Sequence, residues 1–127
     1  IFSASITPGA TAAASAALDI LRAEPERVDK LWEMTNYTIK QFKDRGFEVG
    51  PTETPIIPLY IRDDPKTFQI TKILFEEGIF VNPVVSPAVA PADTLIRFSL
   101  MATHNYDQIN YAIEHIDKVF RKMEILK

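Results

Sequence analysis

The stretch Leu95–Asn105, LIRFSLMATHN, places a single arginine in the middle of a mainly apolar run. Its spacing predicts a strand over residues 95–101, in which successive side chains point to opposite faces. The apolar residues of one face are Ile96, Phe98 and Leu100. We assign that face to a helix-covered core, so Arg97 is predicted on the open face, towards solvent, a partner or a ligand.

Four helices are predicted from capping signals and apolar periodicity. Thr7 and Asp64 each precede a proline, a pattern typical of a helix start, and Glu24-Pro25 separates the first helix from the second. Asn105 with Gln108 resembles a capping box for the last helix. The apolar side predicted for the third helix consists of Phe68, Ile70, Ile73 and Leu74.

Two further strands are predicted, over residues 56–61 and 79–83. Pro58 indicates an edge position or a bulge for the first of them, because proline cannot donate a ladder hydrogen bond. The resulting order, α-α-β-α-β-β-α, predicts an α+β fold, a two-layer sandwich in which helices pack on one face of a small sheet. The alanine-rich first helix is suited to close packing on a neighbour. The chain also begins without methionine, which suggests a piece of a larger polypeptide.

Composition narrows the functional classes. The 127 residues carry a net charge of −3 and no cysteine, with no basic cluster and no apolar run near the length of a membrane span. We therefore expect no nucleic-acid partner, no disulfide and no membrane span. The two histidines, His104 and His115, lack the partners of a metal motif, so no metal site is expected.

Two interpretations of Arg97 remain open from the residue pattern. An exposed arginine commonly pairs with a surface carboxylate, and such pairs contribute little. Alternatively, the planar guanidinium forms a clamp for a carboxylate or phosphate. For His104 we favour a structural hydrogen bond, and for Ser3 simple helix capping over phosphate binding.

Three stretches together are specific: IFSASITP at 1–8, GIFVNPVVSPAVAP at 78–91 and TLIRFSLMATHNYDQI at 94–109. In this order and spacing, the chain resembles the C-terminal part of the pyridoxal-phosphate-dependent α-oxoamine synthases. That family includes serine palmitoyltransferase, 8-amino-7-oxononanoate synthase, 2-amino-3-ketobutyrate CoA ligase and 5-aminolevulinate synthase. The stretches are most similar to those of the bacterial serine palmitoyltransferases.

The resemblance implies a fold type I enzyme that is a cytoplasmic homodimer with its sites at the subunit interface. Residues 1–24 would be the end of the large cofactor domain with its linking helix, and residues 25–127 the small C-terminal domain. The implied reaction condenses an amino acid, with serine favoured, and an acyl-CoA to a 2-amino ketone, with loss of CoA and CO2. The alternatives are oxononanoate synthase or ketobutyrate ligase activity and, outside enzymes, a stand-alone interaction module whose open sheet face binds a protein.

The resemblance also implies roles for individual residues. Arg97 matches the arginine that binds the substrate carboxylate. Ser3 and Ala4 match the contact with the cofactor phosphate of the other subunit, which Ala4 would make through its backbone. The Schiff-base lysine of the family lies upstream, so no catalytic residue is expected here and the isolated chain should be inactive. Two positions depart from relatives: Val85 replaces an arginine of sphingomonad-type serine palmitoyltransferases, and Ala88 replaces a threonine of aminolevulinate synthases.

Overall fold

The computed structural model describes residues 5–126. Within that range the elements follow the predicted order α-α-β-α-β-β-α, with one short 3₁₀ helix added before the last strand. The helices are α1 (Pro8–Ala23), α2 (Glu26–Asp44), α3 (Asp64–Glu76) and α4 (Tyr106–Lys122). The strands are β1 (Ile56–Tyr60), β2 (Asn82–Val84) and β3 (Leu95–Ser99), and the 3₁₀ helix is Pro91–Asp93.

The three strands form one antiparallel sheet in the order β1-β3-β2, so β3 lies in the centre. The edge position predicted from Pro58 is confirmed, because β1 pairs with β3 alone among the described strands. The other edge strand, β2, also contains a proline, Pro83. Central β3 contains none, as expected for a strand whose backbone must bond on both sides.

Helices α2, α3 and α4 cover one face of the sheet, which confirms the α+β class. Ile96 is fully buried and Phe98 and Leu100 nearly so, as alternation along β3 predicts. The ring of Phe98 meets that of Phe42 on α2 edge to face, at 5.5 Å between centroids. The buried stripe of α4 consists of Ile109, Ala112, Ile113, Ile116, Val119 and Phe120. Each large apolar side chain buried here contributes about 1.5–3 kcal/mol.

The helix starts follow local capping chemistry, with one correction. Thr7 caps α1, and Asn105 and Gln108 form the reciprocal capping box of α4, both as predicted. The cap of α3 is Asp63 and not Asp64, because the Asp63 carboxylate is the one that accepts the backbone N–H three residues ahead. The Asp64 carboxylate instead accepts a hydrogen bond from the threonine hydroxyl just before β3.

Three further predictions need correction. β2 begins at Asn82, because the N–H of Ile79 donates to the carbonyl of Leu74 and closes the end of α3. β3 ends at Ser99, since the chain turns within the next five residues. Phe68 does not face the core; 54% of it is exposed, because the buried side of α3 lies over Leu74 and its neighbours.

Helix α1 differs from the other three helices in its packing. Every residue from 5 to 23 is exposed, including Leu18, Ile20 and Leu21, which retain about half of their accessible surface. Thus α1 contributes nothing to the core formed by the described residues. Across residues 5–126, no helix combines the length and the apolar character needed to cross a membrane.

Candidate functional site

The open face of the sheet places Arg97 at its centre. In the antiparallel register, Arg97 lies opposite Pro58 of β1 on one side and Asn82 of β2 on the other. Its neighbours in the strand, Ile96 and Phe98, point into the core, so the arginine side chain leaves the sheet on the uncovered face. This is the direction predicted from the sequence. A position on the central strand fixes the direction of the guanidinium better than a loop would.

Arg97 has no protein counter-charge in the part of the chain that the structure describes. No residue between 5 and 126 makes an ion pair or a side-chain hydrogen bond with its guanidinium. Within that range, the ordinary surface ion pair considered for Arg97 is therefore wrong. A cation that leaves the central strand without an internal partner can accept an anion from outside the described fold.

Arg62, at the end of β1, shows the opposite behaviour. Its guanidinium donates to the Glu48 carboxylate and to the backbone carbonyl of Ala92, both at 2.6 Å, and lies over the ring of Tyr60. The hydrogen bond and charge of Glu48 raise the pKa of Arg62 above its ordinary value. Arg62 is thus committed to contacts within the fold, and Arg97 is the arginine of this sheet region that remains available.

Arg97 lines an open groove of about 550 Å³. The other walls are β2 and the loop that follows it, residues 82–84 and 85–88. The loop is held by a hydrogen bond from the Ala88 N–H to the Val85 carbonyl, 2.9 Å, and its Ser86–Pro87 peptide bond is cis. Apart from one amide and one hydroxyl, these walls are apolar.

The chemistry of this groove suits a small carboxylate. Arg97 is the one charged residue among those that line it, and its planar fork can donate two parallel hydrogen bonds to two carboxylate oxygens. Val85 leaves the loop without the second cation that an arginine at this position would supply. No lysine lines the groove, so it offers contacts for an anionic ligand but no amine for covalent attachment.

The remaining residues singled out in the sequence lie elsewhere. Nδ1 of His104 accepts a hydrogen bond from the Met101 backbone N–H at 3.2 Å, a structural contact in the turn that leads to α4. Ser3 and Ala4 lie outside the described residues, so their predicted contact stays a prediction. Residues 5–126 contain no cluster of three potential metal ligands.

One polar residue of the groove, Asn82, escaped the sequence analysis. Asn82 is the first residue of the three-residue strand β2, and nothing in the adjacent sequence indicated a binding role for it. Its place beside Arg97 depends on which strands pair and in which register, and antiparallel pairing of β2 with β3 provides both.

A family model described as aminotransferase class I and II matches residues 1–116. The chain belongs to this family. The resemblance stated from the motifs around residues 78–91 and 94–109 is thereby confirmed at the level of the family.

Individual members of the family narrow the relationship. The chain is 58% identical, over 126 residues, to the serine palmitoyltransferase of Bacteroides ovatus, covering 99% of this chain and 32% of the relative. It is 39% identical, with the same coverage of both chains, to the 8-amino-7-oxononanoate synthase of Bacillus pumilus. The chain thus spans about a third of the length of the curated relatives it matches.

Solved structures extend the match to three dimensions. The serine palmitoyltransferase of S. paucimobilis, determined with a bound PLP–myriocin aldimine, superposes with a TM-score of 0.87 at 26% identity. The superposition covers 99% of this chain and 32% of that one. The predicted architecture, the small C-terminal domain of a fold type I enzyme, is confirmed.

Proposed function

We propose that this chain is the C-terminal part of a pyridoxal-phosphate-dependent acyltransferase that condenses L-serine with an acyl-CoA and releases CoA and CO2. The observation that carries the proposal is Arg97, a cation without a counter-charge in the described chain, mounted at the centre of an open sheet face. The choice of serine is supported by the 58% identity to a serine palmitoyltransferase.

In this proposal Arg97 binds the carboxylate of the amino-acid substrate. Two parallel hydrogen bonds fix both the position and the plane of the carboxylate, which orients the rest of the amino acid for reaction. Pyridoxal phosphate, when bound, supplies an electron sink for the carbanion formed from the substrate. The groove lacks a lysine, so we assign covalent attachment of the cofactor to the part of the enzyme outside this chain. Ser3 and Ala4 are proposed to contact the cofactor phosphate of the other subunit.

We further propose a division at residue 24. Residues 1–24 would pack with the large cofactor domain, whereas residues 25–127 form the small domain of a cytoplasmic homodimer. Exposure of every residue from 5 to 23 supports this division, since α1 has no partner in the described fold. Deleting residues 1–24 should leave the urea-unfolding midpoint of the remaining chain unchanged. A clear loss of stability would contradict the division.

The reaction is tested with the full-length enzyme. Serine, glycine and alanine are each paired with palmitoyl-CoA, acetyl-CoA and pimeloyl-CoA, and release of free CoA is measured. We expect the highest kcat/KM with serine and a long acyl chain. The second candidate, an oxononanoate synthase, is supported by the 39% identity and would be favoured by highest activity with pimeloyl-CoA. No activity with any pair would contradict both.

The role of Arg97 is tested by substitution in the same enzyme. Arg97→Ala should weaken serine binding by about 2–5 kcal/mol, the loss expected when one partner of a buried charge pair is removed. Arg97→Lys should recover part of this, because an ammonium group keeps the charge but not the planar fork. Lys72→Ala, which removes an exposed charge on α3, is the control and should not change serine affinity. Unchanged serine affinity in Arg97→Ala would contradict the assignment.

The isolated 127-residue chain should neither catalyse the reaction nor bind the cofactor tightly. Mixing it with pyridoxal phosphate should leave the spectrum of the free cofactor unchanged. Appearance of the absorption band of an enzyme-bound cofactor would contradict this expectation.

A further inference from the structure

We infer that Asn82 is a second anchor for the substrate carboxylate and acts together with Arg97. The inference rests on the proposed function and adds to it a residue that the sequence motifs do not single out. Asn82 of β2 is the direct cross-strand partner of Arg97 in β3. Directly opposed residues in an antiparallel pair have Cβ atoms about 4.5–5.5 Å apart, so both side chains can reach one small ligand.

The side chain of Asn82 faces the groove. Ile79 and Val81 are buried in the core, and Phe80 is 75% exposed, so the extended chain entering β2 alternates between the two faces. Asn82 therefore shares the open face with Arg97, and both line the groove. Apart from Ser86 in the loop, the other lining residues are apolar.

The side-chain amide of Asn82 has no hydrogen-bond partner in the described chain. No residue between 5 and 126 makes a hydrogen bond with this side chain. The side chain of Asn105, by contrast, caps α4, and that of Asn110 accepts a hydrogen bond from Tyr37 at 2.7 Å. Asparagine is also depleted in strands, so an unbonded one in a three-residue strand breaks a local preference without any gain within the fold. Such exceptions are expected at functional sites.

The guanidinium of Arg97 and the side-chain amide of Asn82 can both donate hydrogen bonds to one carboxylate. A carboxylate held by the arginine fork retains lone pairs on each oxygen, and the Asn82 amide can donate to one of them. Pro58, on the other flank of Arg97, has no side-chain donor. The ligand would thus be held from one side by the amide and from below by the guanidinium. The Asn82 amide would thus add a third hydrogen bond, on one flank only, to the two that the arginine fork supplies.

The test uses the full-length enzyme loaded with its cofactor. Binding of L-serine and of L-serine methyl ester, which lacks the charged carboxylate, is followed by the change in cofactor absorbance. Asn82→Ala should weaken L-serine binding roughly tenfold, the loss typical of a hydrogen bond to a charged group. Asn82→Asp, nearly identical in shape, should weaken it further through charge repulsion. Binding of the methyl ester to Asn82→Ala should stay within twofold of the unsubstituted enzyme.

The matched control is Asn36→Asp, the same change at an exposed position on α2, which should affect neither ligand. The inference is overturned if Asn82→Ala binds L-serine normally, or if it loses affinity for both ligands equally, as a merely structural role would require. Arg97→Ala, measured alongside, separates the two proposals. If Arg97→Ala weakens serine binding but both Asn82 variants bind serine normally, only the role of Asn82 is contradicted. If Arg97→Ala also binds serine normally, the carboxylate clamp itself is contradicted.

Discussion

Replacing Ile96 by alanine should destabilise the chain far more than replacing Arg97, its neighbour on β3. Ile96 is completely buried between its cross-strand partners Leu59 and Pro83. Its truncation removes apolar contacts and leaves a cavity, which together cost about 2–5 kcal/mol of unfolding free energy. Arg97 is exposed and its guanidinium has no ion-pair or hydrogen-bond partner among residues 5–126, so Arg97→Ala should change that free energy by no more than about 0.5 kcal/mol.

Urea unfolding of the 127-residue chain measures both effects. Trp32, the single tryptophan, lies on α2 and is 40% exposed, which makes its fluorescence a convenient probe beside circular dichroism. With a slope of about 2 kcal/mol per molar urea, Ile96→Ala should lower the midpoint by about 1–2.5 M and Arg97→Ala by at most about 0.25 M. Comparable midpoints for the two variants would refute the assignment of faces on β3.

Four further substitutions test helix ends and turns. Asn105→Ala removes the cap of α4 and should lower the unfolding free energy by about 1 kcal/mol, whereas an unchanged midpoint would mean that the capping box is dispensable. Gly46→Ala should cost about 1–2 kcal/mol, because its φ of +89° is unfavourable for any residue with a Cβ. Gly9→Ala, in helix α1 with open space around it, should instead leave the unfolding free energy unchanged, because α1 packs on no part of the described core; a loss as large as that of Gly46→Ala would contradict this reasoning. The hydrogen bond to Glu33 raises the pKa of Tyr106. The stability that this hydrogen bond contributes is therefore present at neutral pH and is lost as pH rises through the folded-state pKa of Tyr106. Unfolding midpoints of Tyr106→Phe and the unsubstituted chain should therefore differ at pH 7 and converge at alkaline pH.

Local chemistry made much of the fold predictable. The faces of β3 follow from strand alternation, and the edge position of β1 follows from the missing N–H of Pro58. The caps at Thr7 and Asn105 depend on contacts within four residues, so a sequence pattern is enough to identify them. The direction of Arg97 belongs to the same category.

Features that depend on distant contacts were not predictable in this way. The pairing of Asn82 with Arg97 joins residues on two strands separated by a proline-rich loop, and no local pattern encodes that register. Asp64 was predicted as the cap of α3, but its carboxylate accepts a hydrogen bond from the distant Thr94, and the neighbouring Asp63 caps the helix instead. Phe68 was predicted on the apolar side of the third helix together with Ile70 and Leu74, yet helix geometry turns it outward.

Both borders of the sheet contain a proline, Pro58 on one side and Pro83 on the other. An unprotected border strand can recruit a foreign chain through its unpaired amides, which is the usual route to fibrillar aggregates. Here each border is interrupted by a residue that has no amide hydrogen to offer. The two prolines therefore oppose aggregation at either edge of a sheet that leaves one face, the one with Arg97, uncovered.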